Sequence, residues 1–175
     1  IYLFKFDPLS LPTFGETSGG ISSEQSPRYE NAELGISIVP PAGWQKIIGD
    51  TNPNLLVSYG FQDKTNGNIV AKISILGEQI DSGITPDSYF TNLQKSLIGQ
   101  YENAKLSATE KIGTTPPTYK LTLSYQSASG QPIIAKYLIK ISGANSFMAE
   151  AKSAEADWQK YGAVIDSSLS TFEAK

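Results

Sequence analysis

The sequence predicts an α+β fold in which an antiparallel β-sheet is flanked by helices, an α/β/α sandwich. Three observations carry this expectation. Tyr119, Leu121, Leu123 and Tyr125 alternate with Lys120, Thr122 and Ser124, which is the period of a half-buried strand. Short polar loops at Ser129-Gly130 and at Gly143 to Asn145 join this run to Ile133–Ile141 and then to Phe147–Lys152, and consecutive strands joined by short loops pair antiparallel. In two other stretches apolar residues recur at steps of three and four: Phe90, Leu93 and Leu97, then Trp158, Tyr161, Ile165, Leu169 and Phe172. That spacing marks amphipathic helices whose apolar stripes must be covered.

The elements follow in order along the chain. Ile1, Tyr2, Leu3 and Phe4 precede Lys5, and two readings stand: the trailing edge of an apolar segment removed by processing, or a short hydrophobic arm packed on the domain. Asp7 to Arg28 is rich in Gly, Ser, Pro and Thr, the composition of a linker. Residues 1–28 are therefore expected to form a flexible N-terminal arm or membrane-proximal linker, and residues 29–175 the folded domain. Leu34–Val39 reads as a short strand, stopped by Pro40, Pro41 and Gly43 before Trp44. Leu55–Gln62 and Asn68–Leu76 read as a hairpin whose Asn66-Gly67 turn supplies positive φ angles. In its second strand Ile69, Ala71, Ile73 and Ile75 share the core face, opposite Lys72 and Ser74. Thr85 caps a helix running from Pro86 to about Gly99, with Asp87 at the positive end of its dipole. Leu106–Ile112 is a strand. Ser153 is expected to cap the last helix, with Glu155 and Asp157 in its first turn. Its stripe, Trp158, Ile165 and Leu169, is expected to lie on Tyr119, Leu121, Leu123, Ile139 and Ile141.

Composition bounds the chemistry. With 175 residues, 39% hydrophobic and 18% charged, the composition is that of a globular protein, and one hydrophobic core is expected. It contains no histidine and no cysteine, which removes imidazole acid/base chemistry, Ser-His triads, thiol nucleophiles and disulfides. The missing cysteine fits a compartment outside the reducing cytoplasm. The net charge is −3, with Arg28 the only arginine; this is no footprint for phosphate backbones, so nucleic acid is not expected as a partner. No apolar run approaches the roughly 20 residues of a membrane span.

Three features invite a chemical reading. Asp81-Ser82-Gly83 spells the triplet of aspartic proteases, whose two aspartates share a proton; it lacks a suitably placed partner segment and reads better as the turn into the helix. Asp63 to Asn68 resembles the start of a calcium loop, but the glycine comes one position early and Ser74 stands where the bidentate glutamate belongs; a hairpin turn explains it better. Lys72, Lys120, Lys136 and Lys140 share the polar phase of their strands, which makes either a basic docking strip or a solubilising surface. Accordingly no catalytic, cofactor-binding or metal-ligating residue is assigned, and no cofactor is expected.

Two stretches carry a family resemblance. The first runs from Tyr29-Glu30-Asn31 through Gly35-Ile36-Ser37-Ile38 to Pro41-Ala42-Gly43-Trp44; the second from Trp158 through Ile165 to Ser168-Leu169 and Thr171-Phe172. Together they resemble the opening strand, Pro-x-x-Trp turn and closing helix of the PsbP-like superfamily, over about Tyr29 to Phe172. The resemblance implies an α/β/α sandwich acting as a non-enzymatic accessory or binding module outside the cytoplasm. The expected protein is thus a monomer, membrane-tethered through an upstream anchor, that docks to a protein partner or membrane assembly. Two alternatives remain open: a carrier of a small apolar ligand between sheet and helix, and a carboxylate-dependent hydrolase. Metal sites proposed for some photosynthetic members use histidine, which this chain lacks, so no site residue carries over.

Overall fold

Strands with apolar residues on both phases need cover on both faces, and the arrangement supplies it. The computed structural model describes residues 21–25 and 28–175. Its elements are β1 (Ile21–Gln25), β2 (Tyr29–Asn31), β3 (Ile36–Ile38), β4 (Gln45–Ile47), β5 (Leu55–Gln62), β6 (Ile69–Gln79), α1 (Pro86–Gln100), β7 (Glu102–Thr114), β8 (Pro117–Gln126), β9 (Pro132–Ser142), β10 (Asn145–Ala154), α2 (Trp158–Ser170) and β11 (Glu173–Ala174). The main sheet has the order β1-β4-β5-β6-β10-β9-β8-β7, and a small sheet has the order β11-β3-β2. Every pairing is antiparallel.

In place of the single core expected, each face of the main sheet carries its own, because the central strands are apolar on both phases. On one face α2 and the small sheet bury Ile36, Ile38, Ile165, Leu169 and Phe172 against Val57 and Tyr59 of β5, Ala71, Ile73 and Ile75 of β6, and Ala149 and Ala151 of β10. On the other, α1 buries Tyr89, Phe90, Leu93 and Leu97 against Tyr119, Leu121, Leu123 and Tyr125 of β8, Ile133, Tyr137, Ile139 and Ile141 of β9, and Met148 of β10. β6, β9 and β10 contribute to both cores, so their alternation separates two buried faces rather than a dry face from a wet one.

Most expected elements are present. The Thr85 hydroxyl accepts from the Ser88 N–H at 3.2 Å, and Pro86 opens α1. Four expectations need correction. The apolar phase of β8 and β9 lies under α1, whereas α2 covers β5, β6 and β10; alternation identifies residues that share a face, not the helix above it. Ser153 does not cap α2: β10 continues to Ala154, a 3₁₀ turn spans Glu155–Asp157, and the Ser153 hydroxyl donates to the Ala154 carbonyl. Lys72 and Ser74, set opposite the core face of β6, are themselves buried, because that strand is central. In the β5–β6 turn only Gly67 takes a positive φ, +76°; the Asp63 and Asn66 side chains accept the backbone N–H groups of Thr65 and Asn68.

Within the stretch read as linker, Ile21–Gln25 pairs with β4 as the outermost strand. The remainder of that stretch up to residue 20, the apolar Ile1 to Phe4, and residues 26–27 lie outside the described residues.

Candidate functional site

The α2 face of the sheet is only half covered. α2 and the small sheet lie over the β5-β6-β10 side, while β7 and the outer part of β8 extend beyond them, and a groove of about 410 Å³ opens along this step. Its floor is apolar, from Ala108 of β7, Leu138 of β9 and Leu169 of α2. Its polar residues arrive in register: Glu110 lies opposite Lys120, and Thr122 opposite Lys136. Lys136 is held by Asp166 of α2 through bonds of 2.6 and 2.7 Å, with its ammonium 5.3 Å from the centre of the Trp158 ring. Lys120 is exposed and makes no ion pair among the described residues. The groove thus combines an apolar floor with a mixed-charge rim, and suits an amphipathic segment or ligand.

The sheet divides the four lysines of the expected strip. Lys120, Lys136 and Lys140 lie on the α2 face, where Lys140 stands over the Phe172 ring and its ammonium is pushed down by burial, offset in part by Glu173. Lys72 is on the opposite face.

There it belongs to a buried polar cluster. Asp50 pairs with Lys72 at 3.0 Å and Glu150 with Lys152 at 3.2 Å. Lys72 and Lys152 are direct cross-strand partners, so two ammonium groups sit side by side. Burial pushes the Lys152 ammonium down, Glu150 opposes the shift, and Lys72 adds to it. Burial also disfavours the Asp50 carboxylate, yet the charge and hydrogen bond of Lys72, with the Asn52 N–H, hold it below the ordinary value. Beside them lie Tyr101, Tyr125 and Tyr137, the first two stacked with ring centres 4.0 Å apart. Burial raises all three phenols, and for each of them the Glu150 charge adds to the rise. Of the charged members of this group, the sequence singles out only Lys72. Glu150 and Lys152, which continue the phase of buried Met148 in β10, were the available signal.

The triplet Asp81-Ser82-Gly83 is an exposed turn, closed by the Ile84 N–H on the Asp81 carbonyl at 3.2 Å. Nearby, Glu78 is pushed up to about 7, chiefly by burial and further by Asp81, against the hydrogen bond that the Tyr89 hydroxyl donates to it at 2.5 Å. This contact ties β6 to α1. Asp63 to Asn68 forms the β5–β6 connection, closed by the Asp63 N–H on the Asn68 carbonyl at 2.8 Å. Among the described residues no three acidic side chains gather as a metal site, and no helix is long and apolar enough to cross a membrane.

No protein-family profile matches the chain, and no curated protein matches it by sequence. Solved structures do. The cyanobacterial PsbP protein CyanoP of Synechocystis superposes with a TM-score of 0.65 at 16% identity, over 91% of this chain and 98% of that one. This is the PsbP-like fold. The PsbP-like architecture recurs in PA94 of Pseudomonas aeruginosa, a protein of unknown function (TM-score 0.59, 12% identity, 90% of this chain and 99% of that one). It recurs again in the Ran-binding protein Mog1p of Saccharomyces cerevisiae (0.54, 8% identity, 90% and 96%). At these identities the likeness concerns the PsbP-like fold alone.

Proposed function

We propose that this PsbP-like domain is a non-catalytic accessory module that docks a protein partner in the groove between α2 and the β7–β8–β9 side of the sheet. The observation that carries the reading is the half-covered sheet face itself, with an apolar floor at Leu138 and Leu169 and a rim bearing Lys120 and Glu110. Protein binding is also what the name of Mog1p records for that relative of the fold. The cysteine-free composition fits a site of action outside the cytoplasm, and an upstream anchor would place the domain at a membrane.

A photo-crosslinking residue at Thr122, on the groove, and another at Asn92, on the exposed side of α1, test the reading in membranes of the source organism. One stoichiometric protein partner is expected from position 122, and none from 92. Equal labelling from both positions would overturn it. The apolar floor favours one alternative, a small amphipathic ligand carried in the same groove; labelling of a small molecule instead of a protein would select it. A peptidase screen at acidic pH comparing wild type with Asp81→Asn covers the hydrolase alternative, and the expected result is no cleavage by either.

A further inference from the structure

On the sheet face away from the groove, three polar atoms point into the same buried cluster without a hydrogen-bond partner among the described residues: the Tyr125 hydroxyl, the Tyr137 hydroxyl and Glu150 Oε1. Their residues are 3%, 1% and 5% exposed. They are neighbours: Tyr137 sits directly across from Glu150 in the β9–β10 register, and both tyrosines feel the Glu150 charge. The Tyr137 hydroxyl faces Glu150 and Tyr101, yet it makes no aligned bond to either. An unmade hydrogen bond on a buried polar group is costly, and such groups in native proteins usually meet protein or an ordered water.

The donors complete the picture. An ammonium carries three N–H donors, whereas Lys72 and Lys152 each make one hydrogen bond among the described residues, to Asp50 and Glu150. Unused N–H groups therefore stand beside an unused carboxylate oxygen and two hydroxyls. An anion would accept from the ammonium groups but be repelled by Glu150 and Asp50. A cation would suit Glu150 but be repelled by the lysines. A molecule that both accepts and donates meets every requirement, and two to four polar partners are what an internal water needs.

We propose that Tyr125, Tyr137, Glu150 and Lys152 form an internal water-binding site, holding at least one long-lived water that accepts from Lys152 and donates to Glu150 Oε1. Its role is to complete the hydrogen bonding of the Lys152–Glu150 pair inside the sheet, because the water supplies the bonds that the direct contact leaves unmade. The site is independent of the groove and of any partner.

Oxygen-17 magnetic relaxation dispersion on the purified protein detects such a water directly. The wild type is expected to show at least one long-lived internal water, and a Tyr125→Phe/Tyr137→Phe variant to lose one. Denaturation gives a second measure with a definite sign. Removing an unpartnered hydroxyl from a dry cluster raises the melting midpoint, whereas removing one that binds a water leaves it unchanged or lowers it; the latter is expected for Tyr137→Phe. Absence of a long-lived water in the wild type, or a raised midpoint in Tyr137→Phe, overturns the proposal. So does a chloride-dependent rise in the midpoint that vanishes in Lys72→Met, which would assign an anion to the site instead.

Discussion

The two faces of the main sheet are built from the same strands and solve the problem of burial differently. Under α2 the sheet offers Ile73, Ile75, Ala149 and Ala151, a dry surface whose cost is that it runs out before the sheet does, leaving the groove. Under α1 the apolar cover of Leu93 and Leu97 extends over β8 and β9, and the adjoining rows of β6 and β10 are filled by Lys72, Ser74, Glu150 and Lys152. One face is apolar with an open margin; the other is closed and internally charged. The lesson is that a central strand covered on both sides can bury charge only where opposite charge arrives from its neighbours, and here it comes from Glu150 on the same strand and from Asp50 in a loop.

The largest expected effect comes from breaking both cores at once. Leu97 and Ile165 are fully buried, one on each face, and truncating either to alanine should cost about 2 to 5 kcal/mol. If the faces act as separate clusters, urea denaturation of Leu97→Ala/Ile165→Ala gives the sum of the two within about 0.5 kcal/mol. A larger departure would mean that the sheet couples them.

The next test concerns the charged face alone. Glu150→Met leaves Lys152 buried without its carboxylate and should cost about 3 to 5 kcal/mol, while the double change with Lys152→Met should recover most of that loss. Equal losses in the single and double variants would show that packing volume, not charge, decides this region.

A smaller effect depends on pH. Glu78 ionises near 7 in the folded protein against an ordinary value of 4.5, so the folded state holds its proton more tightly. The stability it contributes is fully present below about 4.5 and is lost as pH rises through 7. Discounted for partial exposure, the change is about 1 to 2 kcal/mol, and Glu78→Gln should flatten the melting profile over that interval. Asp50 acts in the opposite sense: held below its ordinary 3.8, it loses its contribution as the pH falls further. The smallest effect is expected at the groove, where Lys136→Met removes a partly exposed ion pair with Asp166. A loss of about 0 to 1 kcal/mol that shrinks with added salt is the expected outcome.

The strand and helix pattern was legible in the sequence because period and punctuation are local: Thr85-Pro86 starts α1 and Gly130 and Gly143 turn the meander. What covers each face was not legible. Leu121 and Ile139 share an apolar phase with each other, but so do Ile73 and Ala149, and nothing local assigns either set to α1 or α2. The groove was legible only in part, since Lys120 and Lys136 stand out whereas Leu138, Leu169 and Asp166 meet them only through tertiary packing. The charged cluster was hidden for a related reason that Lys72 shows: it looks like an outward residue until β10 lies beside β6 and Asp50 reaches it from the β4–β5 loop.

Strand β11 pairs with β3, setting Ala174 against Ile36 and Glu173 against Ser37, and Arg28 clasps Glu173 at 3.0 Å. During synthesis this fixes an order of assembly. The α1 core draws on residues lying between Leu55 and Met148 and can close while later residues are still being added. The α2 core needs Ile36, Ile38, Phe172 and Ala174 together, so the emerging chain must keep β3 waiting until β11 leaves the ribosome. A nascent domain is therefore expected to expose the apolar side of β5 and β6 until β11 has emerged, and that face is where a chaperone would find it.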